Sequence, residues 1–133
     1  METASSVLEE HIPQMNPARS YRMRTIDELV ANNAVAPPDL LKLDVQGYEI
    51  EILKGAMSTL PLVSVVLAEV NLIDIHKGAP LFNEFILFMH GNGFVSYDIC
   101  GFTRRPLDQA LWQADFIFVP VKSSLRSDKR WQA

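Results

Sequence analysis

Two acids, Asp44 and Glu69, stand at or near the carboxyl ends of two apolar runs, residues 40–45 and 63–70. In open α/β sheets, ligands lie in the crevice beyond the carboxyl ends of the strands. If the two runs are neighbouring strands, both carboxylates face that crevice. A carboxylate in so apolar a run is costly to bury without a partner, which points to a functional role. Two structural readings compete: Asp44 as the cap of the following helix, and Glu69 as half of an ion pair. Gly47, just after Asp44, allows close approach of the backbone and opens a helix whose N-terminus faces the same rim. His76, within Asp74-Ile75-His76-Lys77, falls in the loop after the second run. It is a candidate general base or substrate contact, or a surface histidine with no role.

The remaining reactive side chains are weaker candidates. Asp115 opens the last apolar run as a cap, a salt-bridge partner or a ligand contact. Arg104 and Arg105 form either an anion grip or a solvated loop. Asp98 and Asp108 read as solvated. Cys100, the single cysteine, has no base partner in the sequence and reads as half-buried and inert. It excludes both a disulfide within the chain and a cysteine-rich zinc site. No two of His11, His76 and His90 share a metal-ligand spacing. Asp44 and Glu69 with several waters would suit magnesium. The one Gly-x-Gly, Gly91-Asn92-Gly93, leads from a helix into a strand, the wrong direction for cradling a phosphate.

The elements that must position these residues follow from the patterning. The chain has 133 residues, 48% hydrophobic and 21% charged, with a net charge of -4. That is one globular domain, with no basic footprint for nucleic acid or an anionic membrane. The polar, acidic N-terminus and the lack of a membrane-length apolar run point to the cytosol. Residues 1–20 read as an irregular lead with one turn near Val7, residues 21–121 as the folded domain, and residues 122–133 as a polar tail. Residues 21–24 suit a short strand. Thr25-Ile26-Asp27-Glu28 fits a capping box before a short helix. Residues 40–45 read as a strand buried on both faces. Ile52, Leu53, Ala56, Met57 and Leu60 lie on one helical stripe closed by Pro61. Residues 63–70 form a second strand, and Phe82, Phe85, Ile86 and Met89 mark a third helix whose aromatic stripe, with Phe88, is core. Residues 94–99 and 116–119 form two last strands, an antiparallel pair at one edge. Strands alternating with helices predict an α/β fold with a parallel sheet.

Leu40-Leu41-Lys42-Leu43-Asp44-Val45-Gln46-Gly47-Tyr48-Glu49, followed by Leu53-Lys54-Gly55-Ala56, resembles the FkbM family of S-adenosylmethionine-dependent methyltransferases. Ser5-Ser6-Val7-Leu8, Thr25-Ile26-Asp27-Glu28-Leu29, Glu69, Gly93-Phe94 and Gln113-Ala114-Asp115-Phe116-Ile117-Phe118 continue the resemblance in order along the chain. It implies a partial Rossmann-like methyltransferase sheet, with parallel strands, flanking helices and an antiparallel C-terminal edge pair. It implies transfer of a methyl group from S-adenosylmethionine to a hydroxyl of a sugar or natural-product-like molecule. Asp44, Gln46 and Gly47 would meet the cofactor, Asp44 near the transferred methyl. Glu69 or His76 would be the base, and Glu49 would help shape the loop. The family's Gly-rich cofactor loop would lie upstream of Met1. A sheet without it exposes the edge of residues 40–45, an invitation to homodimerise or a sign of a fragment of a longer reading frame. The alternative reading is a truncated, non-catalytic interaction module.

Overall fold

A computed structural model describes residues 22–132. The expected turn near Val7, and Tyr21 of the expected first strand, lie outside them. Arg22, Met23 and Arg24 are irregular, so no strand forms there.

Helix α1 (Ile26–Ala31) starts at the expected capping box. The Thr25 hydroxyl accepts the Glu28 N–H at 3.1 Å, and Glu28 accepts the Thr25 N–H at 3.2 Å. Asp27 reaches away from its own helix. Its carboxylate accepts the N–H groups of Ser58 and Thr59 at 2.9 and 2.8 Å, and the Thr59 hydroxyl at 2.7 Å. This ties α1 to the corner that follows α2 (Glu49–Lys54).

The stripe through Leu60 is not one helix. α2 ends at Gly55, and the chain continues in tight turns into a 3-10 turn at Leu60–Leu62. Side-chain bulk at Gly55 would press on the Thr25 side chain, at 3.1 Å, so the helix end and α1 fit closely there. Leu53, Ala56 and Leu60 stay buried, but the altered winding leaves Met57 46% exposed.

Strands β1 (Leu40–Leu43), β2 (Val65–Asn71), β3 (Phe94–Arg104) and β4 (Leu111–Pro120) form one sheet in the order β1-β2-β4-β3. Only β1 and β2 are parallel. β4 runs antiparallel to both its neighbours. The β3–β4 pair is antiparallel as expected, because its short connection cannot make a parallel crossover. It is not simply an edge pair, since β4 lies inside the sheet. Pairing carries both strands well beyond their apolar runs. β3 is the edge, with register shifts that interrupt its ladder.

Among the described residues β1 is the opposite edge, and it is not buried on both faces. Leu43 is buried, Lys42 is exposed and Leu40 is 54% exposed. An edge strand has a neighbour on one side only, so apolar residues alone do not enclose it.

The core lies on one face of the sheet. Val66, Ala68 and Val70 of β2 stand opposite Phe118, Phe116 and Ala114 of β4. Phe85 and Met89 of α3 (Phe82–Gly91) are buried in the same cluster, with Phe82 and Phe88 packed against it, as the aromatic stripe predicts. Phe85 meets Phe118 at 5.5 Å between centroids, and Phe82 meets Phe116 at 5.4 Å. No helix among the described residues is long and apolar enough to cross a membrane.

Candidate functional site at the β1–β2 rim

The alternation that buries Ala68 and Val70 turns Glu69 and Asn71 to the other face, where Gln113 and Asp115 of β4 stand opposite them. Asp44 follows β1 directly. Beyond it the chain turns through two left-handed residues, Gln46 (φ 55°) and Gly47 (φ 99°). A left-handed glutamine is uncommon and signals a conformation held by its surroundings. Glu49 does much of the holding. It is almost fully buried, and its Oε1 accepts the N–H groups of Val45 at 3.2 Å and Gly47 at 3.1 Å.

The turn places the Gln46 side chain over the rim. Its Nε2 donates to Glu69 Oε1 at 2.9 Å and approaches Asp44 Oδ1 at 3.3 Å. Its Oε1 faces His76 Nε2 at 3.2 Å. From β4, Gln113 Nε2 donates to Glu69 Oε1 at 2.7 Å and to Asn71 Oδ1 at 3.1 Å. The structure thus joins Asp44, Gln46, Glu69 and His76 in one network, with Gly47 contributing backbone alone. Both amides donate to the same Glu69 oxygen. Glu69 Oε2 accepts no hydrogen bond among the described residues.

The two acids are driven in opposite directions. Lys42 Nζ sits 2.7 Å from Asp44 Oδ2 and, chiefly through that hydrogen bond, holds Asp44 below the usual carboxylate range. Glu69 is pushed up to about 7, first by burial, then by the negative charges of Asp44, Asp115 and Glu49, against the opposing Gln46 hydrogen bond. Carboxyls separated in this way can divide acid and base duties at neutral pH.

Neither competing structural reading holds. Asp44 does not cap α2, whose N-cap is Tyr48 with no side-chain bond. Glu69 pairs with amides, not with a cation. His76 is 3% exposed, so it is not a surface histidine. Asp115 lies within β4 opposite Glu69, rather than opening a strand. Arg105 is engaged by Asp108 at 2.6 and 2.7 Å, and Arg104 donates to the Gln109 carbonyl at 2.8 Å. Both therefore stitch the β3–β4 turn and form no anion grip. Cys100 is exposed rather than half-buried, because it lies on the edge strand. No group of three or more metal-binding side chains occurs among the described residues.

Gln113 and Asn71 complete the network, and the sequence reading assigned neither a role. The available signal was the period of two. Residues 69 and 71 on β2, and 113 and 115 on β4, are polar on strands whose alternate positions are apolar.

Residues 17–96 match the methyltransferase FkbM domain. The chain is also similar to hexuronic acid methyltransferase AglP of Haloferax volcanii, with 41% identity over 54 residues. That alignment covers 39% of this chain and 23% of the relative, so the chain matches less than a quarter of that protein's length. No solved structure matches the chain.

Proposed function

The chain belongs to the FkbM methyltransferase family, and on that premise we propose that its β1–β2 rim serves S-adenosylmethionine-dependent methyl transfer to a hydroxyl of a sugar or similar small molecule. When bound, the cofactor supplies a methyl group on a positively charged sulfur. The rim suits a cation: Asp44, Glu69 and Asp115 gather there, with Lys42 the cation paired to Asp44. Asp44, exposed at the end of β1, would hold the sulfonium end, with the Gln46-Gly47 turn beside it. In this reading, β1, α2 and β2 are a parallel unit of a Rossmann-like sheet, working in the cytosol.

Glu69 is the proton acceptor. The observation that carries this is its hydrogen bonding: two amides fix Oε1, and Oε2 accepts no hydrogen bond among the described residues. A carboxyl raised to about 7 can take the proton an acceptor hydroxyl loses near neutral pH. Gln46 and Gln113 hold that carboxyl in orientation, and Gln46 also orients His76. The relative's name states a sugar acid. Here the negative rim favours a neutral sugar hydroxyl at Glu69, with any carboxylate of the substrate turned away.

Calorimetric titration tests the cofactor assignment. S-adenosylmethionine should bind more tightly than S-adenosylhomocysteine, whose sulfur is neutral, and Asp44→Asn should narrow the difference. Equal affinities, or no binding by the folded chain, would remove the assignment. Glu69→Gln should retain cofactor binding and lose methyl transfer.

The free edge of β1 favours a second reading. Its backbone pairs on one side only among the described residues, and Leu40 is 54% exposed. Such an edge recruits another strand, so this chain would act as an interaction module that homodimerises through β1. Light scattering showing a stable monomer would exclude it.

A further inference from the structure

Beside the network, two buried ring nitrogens have no hydrogen-bond partner among the described residues: His76 Nδ1 and Trp112 Nε1. Protein interiors rarely leave such atoms unsatisfied. The rings are neighbours, with centroids 6.4 Å apart and planes inclined by 41°. The hydrogen bond from Leu72 N–H to the Trp112 carbonyl, at 2.7 Å, ties the start of the 72–80 loop to β4.

The network determines what each nitrogen can do. Gln46 must direct its NH2 end at the carboxylates of Glu69 and Asp44, because a carbonyl there would be repelled. Its Oε1 therefore faces His76. An oxygen in that place demands a proton on His76 Nε2, so the neutral ring presents a lone pair at Nδ1. Trp112 Nε1 can only donate. The two orphans are thus one acceptor and one donor. A hydroxyl placed between the rings would satisfy both, accepting from Trp112 and donating to His76. A carbonyl or carboxylate oxygen can use Trp112 alone, and an ammonium can use His76 alone.

We propose that His76 and Trp112 form a specificity subsite for one hydroxyl of the acceptor molecule, with Gln46 as the positioning residue that fixes the histidine tautomer. This deepens the methyl-transfer reading and rests on it: the subsite engages a hydroxyl while Glu69 takes the proton of the reacting one. Both nitrogens are buried, so a ligand reaches them only if a covering segment yields, and His76 itself lies in the 72–80 loop. The loop is tied to the sheet near its ends, by Leu72 to Trp112 and by the bridge between Asn71 and Leu81. Between them, Ile75 bonds to Ile73 and Ala79 to His76, and His76 stands in an isolated β-bridge.

Nitrogen-15 NMR on the full chain tests this, with methyl β-D-glucopyranoside as the hydroxyl probe and tetrahydropyran as the same ring without hydroxyls. Free His76 should show the Nε2–H tautomer. The glucoside should move the Trp112 indole N–H and His76 Nδ1 resonances, and tetrahydropyran should not. Trp112→Phe should weaken glucoside binding by about tenfold, the loss of one buried hydrogen bond. Gln46→Leu should mix the histidine tautomers. An Nδ1–H tautomer in the wild-type chain would overturn the proposal, and that result needs no variant. So would equal responses to both probes, or a water that stays bound between the rings at saturating glucoside. Glucoside binding in a chain indifferent to S-adenosylmethionine would uphold the subsite and remove the methyl-transfer reading. Methyl transfer unaffected by Trp112→Phe would do the reverse.

Discussion

The two faces of β2 and β4 are built from alternate residues of the same strands and do opposite work. On one, Val66, Ala68, Val70, Phe116 and Phe118 fuse with α3 into a buried apolar cluster. On the other, Glu69, Asn71 and Gln113 are linked by amide hydrogen bonds, with Asp115 opposite Glu69. The apolar face gains stability from burial in proportion to area. The polar face places like charges together and holds a carboxyl where its charged form is disfavoured. A sheet's period of two lets one backbone carry both, with the packed face supporting the strained one.

The largest effect should fall on the packed face. Phe118 is fully buried between Phe85 and Phe116. Phe118→Ala should cost about 3–5 kcal/mol in urea denaturation, much of the margin of a small domain. A loss below about 1 kcal/mol would break the contrast between the faces.

On the polar face, Gln113→Leu keeps bulk but removes the donor to both Glu69 and Asn71. It should cost about 1–3 kcal/mol and push the Glu69 titration, followed by carbon-13 NMR, further up. An unchanged titration would mean that Gln113 does not support the carboxylate.

Glu69→Gln should have a smaller effect, of defined sign. The folded state holds the Glu69 proton to about pH 7, whereas the unfolded chain releases it near 4.5. The native state therefore binds more protons across that window, and wild-type stability falls as pH rises through it. With solvent screening at this half-buried site, the effect is about 1–2 kcal/mol. Glu69→Gln should flatten that slope and be more stable than wild type at pH 8. A parallel pH profile would place the proton elsewhere.

The smallest stability effect belongs to Lys42→Met. The Lys42–Asp44 pair is exposed, so thermal unfolding should not move measurably. The Asp44 titration should rise toward its ordinary value, which separates local electrostatics from folding.

What could be read from the residues follows their range of interaction. The Thr25–Glu28 box and the α3 stripe are visible because their partners lie within one turn. The shared rim of Asp44 and Glu69 is visible because parallel strands bring their carboxyl ends together. The close fit of Gly55 against Thr25 was hidden, since the two are distant in the chain. The extent of β3 and β4 was hidden because cross-strand pairing, not local composition, sustains their polar ends.

By itself, the sequence determined the helix start at Thr25, the apolar stripes and the candidacy of Asp44, Gly47, Glu69 and His76, which follow from residue type and local period, while Gln46 entered through the family resemblance. The tertiary structure alone decided that β4 enters beside β2. That placement brings Gln113 to Glu69, and together with the left-handed turn at Gln46 it links that carboxyl to His76. The physical reason is that a hydrogen bond between residues 44 positions apart exists only once strand order and register are set, and no local pattern encodes either.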